Sequence, residues 1–378
     1  MSGEQDLLRL APANLAAVRW RPFRLPMRHR FEAAHGGLDD REGVLIELVG
    51  ADGVTGIGEA SPMASIGGGT LAHVLALLQV QAAALLQDDP LAALPAAGTG
   101  VAALRCAIDV AVLDLEGRRR GLPIARLLSE NAAEAVTVNA IIGVGPASEV
   151  AAYGREAVAG GYRVLKLKVG VGVLEDDIAR VTALREACPE ATIRLDANGA
   201  WTEAQALEAL RAFHPLAVEL LEQPVAAADV EALARVRANA PLRIAVDEAL
   251  NEPARALEVI RRKAADLLVL KPMVLGGLRP AFALAQAAAL TGIGAFATTT
   301  FDSSVGTAAA GHLAAALPTD AAHGLGTGEH LAADLLAQTL VAHDGWLRVP
   351  TEGGGLGLTV DAAALEARAT APWSERTA

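Results

Sequence analysis

Apolar positions recur in two rhythms along this chain. From about residue 135 onward, short apolar runs alternate with alanine-rich stretches of helical period. The runs are 136–141, 164–169, 192–195, 217–221, 243–246, 267–270 and 294–297, with a weaker eighth near 323–325. Helical patterns such as 175–187, 202–213 and 228–239 fill the gaps. Strands spaced by roughly 25–30 residues, each followed by a helix, predict parallel strands closed into a barrel. An open doubly wound sheet fits less well, because no Gly-x-Gly-x-x-Gly turn follows the first strand.

The first ~130 residues read differently, as a mixture of strands and helices. Residues 43–48 form a strand pattern, Asp52-Gly53 supplies a hairpin turn, and 55–59 returns. Residues 71–86 and 102–115 have helical period, and Gly121-Leu122-Pro123 breaks the second helix. After about residue 340 the chain turns glycine-rich, with Gly353-Gly354-Gly355 followed by Leu356-Gly357. The predicted architecture is α/β: an α+β capping domain over 1–130, a modified TIM-type (β/α)7–8 barrel over 131–340, and a segment 341–378 that packs back on the cap.

Composition narrows the function. Hydrophobic residues make up 52% of the 378 positions and charged residues 20%, enough for a large core and against a disordered chain. The formal charge of −12 and the lack of a basic face argue against nucleic acid as a partner. Arg118-Arg119-Arg120 reads as the solvated end of a helix. Cys106 and Cys188 read as small buried apolar residues. No apolar run reaches membrane-spanning length, and the first six residues lack the charged-then-apolar order of a secretion signal. A soluble cytoplasmic protein is expected, able to form a homo-oligomer.

Of 32 basic residues only four are lysine, Lys166, Lys168, Lys263 and Lys271, and the other 28 are arginine. Arginine holds its proton in proteins, whereas lysine can release it. Lys263 lies in an ordinary surface pattern, but Lys166 and Lys168 sit in an apolar strand. Alternation puts both on one face, pointing into the barrel. Mutual repulsion and desolvation are expected to lower their pKa values toward the range of a general base.

The next three strands end in carboxylates. Arg194-Leu195-Asp196-Ala197-Asn198, Leu221-Glu222-Gln223-Pro224 and Val246-Asp247-Glu248 place Asp196, Glu222 and Asp247 one β/α unit apart. Lys271, in Leu270-Lys271-Pro272, follows one unit later. Catalytic residues of such barrels lie at the C-terminal strand ends. Three acids there repel unless a hard cation joins them, and oxygen-only ligands favour Mg²⁺ over Zn²⁺. Amines on both flanks of a metal make a site for removing a proton next to a carboxylate and stabilising the enediolate.

The ordered set Lys-x-Lys, Asp-x-Asn, Glu-Gln-Pro, Asp-Glu and Lys-Pro resembles the muconate-lactonizing subgroup of the enolase superfamily. Gly56-Ile57-Gly58-Glu59-Ala60-Ser61-Pro62 is similar to that subgroup's capping segment, and the stretch 107–115 to its helix entering the barrel. The resemblance implies that Asp196, Glu222 and Asp247 bind Mg²⁺, with Mn²⁺ as an alternative. It implies that Lys168 is the base on one face of the substrate, with Lys166 beside it and Lys271 on the opposite face. The segments 269–277 and 300–306 are most similar to the o-succinylbenzoate synthases. That likeness implies a carbon–oxygen lyase of menaquinone biosynthesis, which dehydrates a succinyl-hydroxycyclohexadiene carboxylate. Thr299, Thr300 and Gly324 then fall where the substrate carboxylate is contacted, Asn198 is expected to bind substrate, and Arg194 is a candidate for the succinyl tail. Loops 31–36 and 61–69 would close over that tail. The alternative on the same scaffold is an N-acylamino-acid racemase or dipeptide epimerase, with a muconate cycloisomerase third. The stretch 324–329 has no Asp-x-Asp to hold a substrate ammonium group, which weighs against dipeptides.

Overall fold

The computed structural model describes residues 12–33 and 36–378. The first six residues lie outside the described residues, as do the side chains of loop 31–36. The N-terminal region is built on an antiparallel sheet of β1 (Leu15–Ala33), β2 (Gly36–Gly50) and β3 (Thr55–Ala60). The hairpin turn between β2 and β3 is the predicted one, with Gly53 at φ 82°. Helices Leu71–Gln81 and Val101–Arg120 cover this sheet.

Close approach explains the glycines of the Gly56-Ile57-Gly58 motif. Both face the long helix, and a Cβ on Gly58 would lie 2.0 Å from the carbonyl oxygen of Ala107. Only glycine lets the strand lie against the helix backbone. Two buried acids on that helix tie the parts together. Asp114 accepts from the N–H groups of Ile57 at 2.8 Å and Leu356 at 2.7 Å. Asp109 accepts from the N–H groups of Leu278 at 2.7 Å and Arg279 at 3.1 Å, at the start of a barrel helix. The arginine run at the helix end is paired rather than free: Arg118 with Asp114, Arg119 with Asp52 and Arg120 with Glu116.

The remaining strands begin with β4 (Ala135–Thr137), outside the barrel, which pairs with β12 (Trp346–Arg348). The barrel follows: β5 (Asn139–Ile142), β6 (Val164–Lys168), β7 (Thr192–Asp196), β8 (Val218–Glu222), β9 (Arg243–Val246), β10 (Leu267–Leu270) and β11 (Gly294–Ala297). These seven form one parallel sheet in chain order. The expected eighth strand is reduced to two parallel bridges, His323 to Val138 and Gly324 to Thr298, which close the ring. A Cβ on Gly324 would lie 2.3 Å from Thr298 Oγ1, so this closure requires glycine and leaves little strand pattern to read. The C-terminal β13 (Ser374–Thr377) adds to the edge of β1, and Gly355 bonds with Leu122 and Ile124 at the end of the long helix.

Leu220, Ala245, Leu267, Val269 and Phe296 form a small core of their own, separate from the main one. These are the inward positions of β8 to β11, and they fill the barrel. Continuing the alternation by one step gives Glu222, Asp247, Lys271 and Thr298. Cys106 and Cys188 are buried and free, as expected. No helix among the described residues is long and apolar enough to cross a membrane.

His312, on helix Ser304–Ala316, bolts three segments together. Its Nδ1 accepts from the N–H of Ala125 at 3.2 Å, and its Nε2 lies 3.2 Å from the carbonyl of Leu356. Burial pushes its pKa down to about 4. The unfolded chain therefore takes up a proton below ~6.5 that the folded chain refuses until about pH 4. Stability is lost as pH falls through this window, by about 3 kcal/mol for one such group. Denaturant titrations between pH 7 and 4.5 should show this slope, and His312→Gln should flatten it; an unchanged slope would contradict the assignment.

Candidate active site

The residues singled out at the strand ends do converge. Register sets the arrangement: Lys168 lies opposite Asp196, and Asp196 opposite Glu222, across three neighbouring parallel strands. One irregularity makes this possible. Ile193 pairs with Val218 and Arg194 with Leu220, so Glu219 is an extra residue in β8. Without that bulge Leu221 would stand beside Asp196 and Glu222 would face outward.

Lys166 Nζ sits between two acids, 2.6 Å from Glu222 and 3.0 Å from Asp196. Lys168 Nζ donates to Asp196 Oδ2 and to Asn198 Oδ1, both at 2.7 Å. Lys271 Nζ is paired with Asp247 Oδ2. Strand β10 lies four positions from β6 in a ring of effectively eight, so Lys271 faces Lys168 from across the barrel mouth. The three acids are buried, while each amine keeps part of its surface open.

Charge here is tightly coupled. Burial works against an ammonium at Lys166, yet Asp196, Glu222 and Asp247 outweigh it and raise its pKa. For Lys166 that is the reverse of the lowering expected from two neighbouring lysines, because two carboxylate oxygens lie within 3.0 Å of its Nζ. Lys271 is raised too, burial being overcome by Asp247 and Glu248. Burial would raise Asp196, but Lys166 and Lys168 hold its carboxyl well below the usual carboxylate range. Glu222 goes the other way, pushed up to about 8 by burial and by Asp196, with Asp247 adding to it. Glu248, not singled out from the sequence, is pushed up to about 7 by burial and Asp247.

The donor set suits a hard divalent cation. Glu222 Oε2 and Asp247 Oδ1 are buried without a hydrogen-bond partner among the described residues, as is Glu248 Oε2. Asp196 and Glu222 share one ammonium as a common partner, so their oxygens lie close together. As the side chains stand, no three acids among the described residues are drawn together as a ready metal cluster; Lys166 pairs with both Asp196 and Glu222, and Lys271 with Asp247. Oxygen-only donors and unsatisfied lone pairs fit Mg²⁺.

Several substrate-contact expectations fare differently. Asn198 is in the site, bonded to Lys168 and, through Nδ2 at 2.8 Å, to Glu248 Oε1. Arg194 is corrected: its guanidinium donates to Glu219 at 2.5 Å and to the carbonyl of Ala322 at 2.6 Å, and lies 5.0 Å over Phe296. Glu219 lies near the start of β8, so Arg194 plugs the barrel from below and does not reach the mouth. Thr299 and Thr300 are buried with their hydroxyls engaged by Thr327 and Asp302. Gly324 packs on Thr298 in the ring closure. A cleft of about 1250 Å³ opens between cap and barrel, lined by Ser65–Gly68 on one side and by Asn198, Glu248 and Leu275 on the other. The sequence signal for Glu248 was present in Asp247-Glu248, but alternation assigns only one of two adjacent residues inward. A 3₁₀ turn, Glu248–Asn251, follows the strand and swings the second acid back to the mouth.

Comparison with known proteins agrees with the fold. Residues 149–364 match the family described as enolase C-terminal domain-like, and residues 17–129 match the mandelate racemase / muconate lactonizing enzyme N-terminal domain. A hydrophobic dipeptide epimerase of Enterococcus faecalis is 32% identical over 80% of this chain and 87% of its own. The solved structure of a dipeptide epimerase from Enterococcus faecalis, complexed with Mg and the dipeptide L-Leu-L-Tyr, has a TM-score of 0.85 at 29% identity, covering 91% of this chain and 99% of that one. A chloromuconate cycloisomerase of Cupriavidus pinatubonensis is 33% identical over 89% of this chain and 94% of its own. The structure of an N-succinyl Arg/Lys racemase from Bacillus cereus has a TM-score of 0.90 at 26% identity, covering 96% of this chain and 100% of that one.

The floor assignment of Arg194 is testable. Arg194→Met leaves Glu219 with one fewer cation in a buried setting and should lower unfolding free energy by about 2–3 kcal/mol in denaturant titration. A change under 0.5 kcal/mol would contradict a plugging role.

Proposed function

Because the chain belongs to the enolase superfamily, with a mandelate racemase / muconate lactonizing enzyme capping domain, we propose that it is a Mg²⁺-dependent racemase or epimerase of N-acylated amino acids. The observation that carries this reading is the pair of amines, Lys168 and Lys271, approaching from opposite sides of the barrel mouth with the acids between them. Asp196, Glu222 and Asp247 would hold the ion, whose charge draws electrons from the substrate carboxylate and acidifies the neighbouring C–H.

Lys168 removes the α-proton from one face, and Lys271 delivers a proton to the other. In the reverse direction the roles exchange. Lys166 stays charged beside Asp196 and Glu222 and offsets the negative charge that develops on the substrate carboxylate. The relatives described above act as an epimerase, a racemase and a cycloisomerase, which supports isomerisation over dehydration. For the substrate, an acylated nitrogen suits this mouth better than an ammonium. The closing segment from Gly324 to Gly328 carries no carboxylate, and Glu329 accepts from Tyr162 at 2.5 Å. The cleft beside Glu248 has room for a long side chain or acyl group.

A dehydratase acting on a succinyl-hydroxycyclohexadiene carboxylate is the second reading, favoured by the likeness of segments 269–277 and 300–306 to that group. It would use Lys168 for both proton steps. Incubation in D₂O with Mg²⁺ and a panel of N-acylated amino acids separates the two. The proposal expects deuterium at the α-carbon with loss of optical rotation, abolished by EDTA and restored by Mg²⁺. Loss of water from the cyclohexadiene acid, with no α-exchange in any N-acylated amino acid, would overturn it. Lys168→Ala should slow turnover by roughly 10²–10⁴-fold, and a full-rate variant would exclude Lys168 as the base.

A further inference from the structure

Lys168 is held by two acceptors, and only one of them is an acid. Its ammonium donates to Asp196 and to the side-chain oxygen of Asn198, each at 2.7 Å. An amide can present either end, and an inverted Asn198 would put its NH₂ against the ammonium. What sets its sense is on the other side: Nδ2 donates to Glu248 Oε1 at 2.8 Å. The backbone helps, since Asn198 sits just past β7 at φ 45° with its N–H donating to Asp196 Oδ1 at 3.0 Å. That backbone contact fixes where Asn198 is, and Glu248 fixes which way its amide faces. Glu248 comes from a different β/α unit, directly after Asp247, the partner of Lys271.

We infer that Glu248 is a positioning residue that aims Lys168 through the amide of Asn198. This rests on the proton-transfer reading above. Chemically, Glu248 touches neither amine by hydrogen bond; it accepts from an amide that accepts from the base. Its influence through bonds therefore reaches one face of the substrate only. Its charge, by contrast, is felt at Lys271 as well. A relay and a simple charge effect thus predict different patterns, and so does a mere loop tie, which would weaken both faces alike.

The test compares Glu248→Ala with Glu248→Gln in the full chain with Mg²⁺, using an N-acylated amino acid that the parent protein exchanges. Deuterium uptake at the α-carbon is followed separately from the L and D forms. The form served by Lys168 is identified as the one whose exchange survives in Lys271→Ala. Glu248→Ala should lower exchange of that form by roughly 10–100-fold while leaving the other within about threefold, the scale typical of groups that orient a functional side chain. Glu248→Gln keeps an oxygen for Asn198 Nδ2 and should restore exchange to within about threefold of the parent. Equal losses on both faces, no loss at all, or a glutamine variant as poor as the alanine variant would each overturn the relay. A crystal structure of Glu248→Ala gives a readout independent of turnover: the Asn198 amide should turn and Lys168 Nζ should leave its oxygen. If the parent exchanges neither form, the racemase reading fails, and this structure still decides the relay. An unmoved Asn198–Lys168 contact would refute it.

Discussion

Lateral register across β6, β7 and β8 is the constraint on which the barrel mouth depends. Parallel strands fix neighbours by backbone hydrogen bonds, so Lys168, Asp196 and Glu222 stand in one row before any side chain chooses a rotamer. The extra residue Glu219 shifts β8 by one place and turns an acid inward where a leucine would have been. The same residue then receives Arg194 and Arg243, so the bulge is anchored from inside and outside. A feature at the barrel floor thereby sets which side chain faces the barrel mouth at the top.

Much of this was legible in the sequence, for physical reasons. Parallel strands buried on both faces read as short apolar runs, and those at 243–246, 267–270 and 294–297 match the observed bounds. The acids and amines stood out because each ends such a run where a polar residue has no business in a core. Other parts were hidden. The long strand β1 carries Pro22 and Pro26, which argue against a strand, and its buried positions change parity from Val18 and Trp20 to Phe23 and Leu25. Ring closure at His323 and Gly324 relies on backbone bonds with almost no side-chain pattern. Arg194 was misplaced because alternation tells which face a residue takes but not whether a long side chain runs up or down the barrel.

Contact between cap and barrel follows the same logic of close approach and buried acid. Gly56 and Gly58 bring β3 onto the long helix, and Asp109 and Asp114 on that helix reach the barrel and the C-terminal tail. Glu59, in the same motif as the glycines, accepts from Ser303 N–H at 3.0 Å and Gly306 N–H at 2.9 Å, at the start of the helix after β11. An acid at a helix N-terminus is favourable in itself. Here it also ties the cap to the loop that follows Thr298.

One Mg²⁺ among Asp196, Glu222 and Asp247, with Lys168 and Lys271 on opposite faces of the substrate α-carbon, is the arrangement we propose. A crystal structure with Mg²⁺ and an N-acylated amino acid tests it most directly. An oxygen of each acid is expected at about 2.0–2.1 Å from the ion, with one amine on either side of the α-carbon. An ion bound elsewhere, or both amines on the same side, would contradict it.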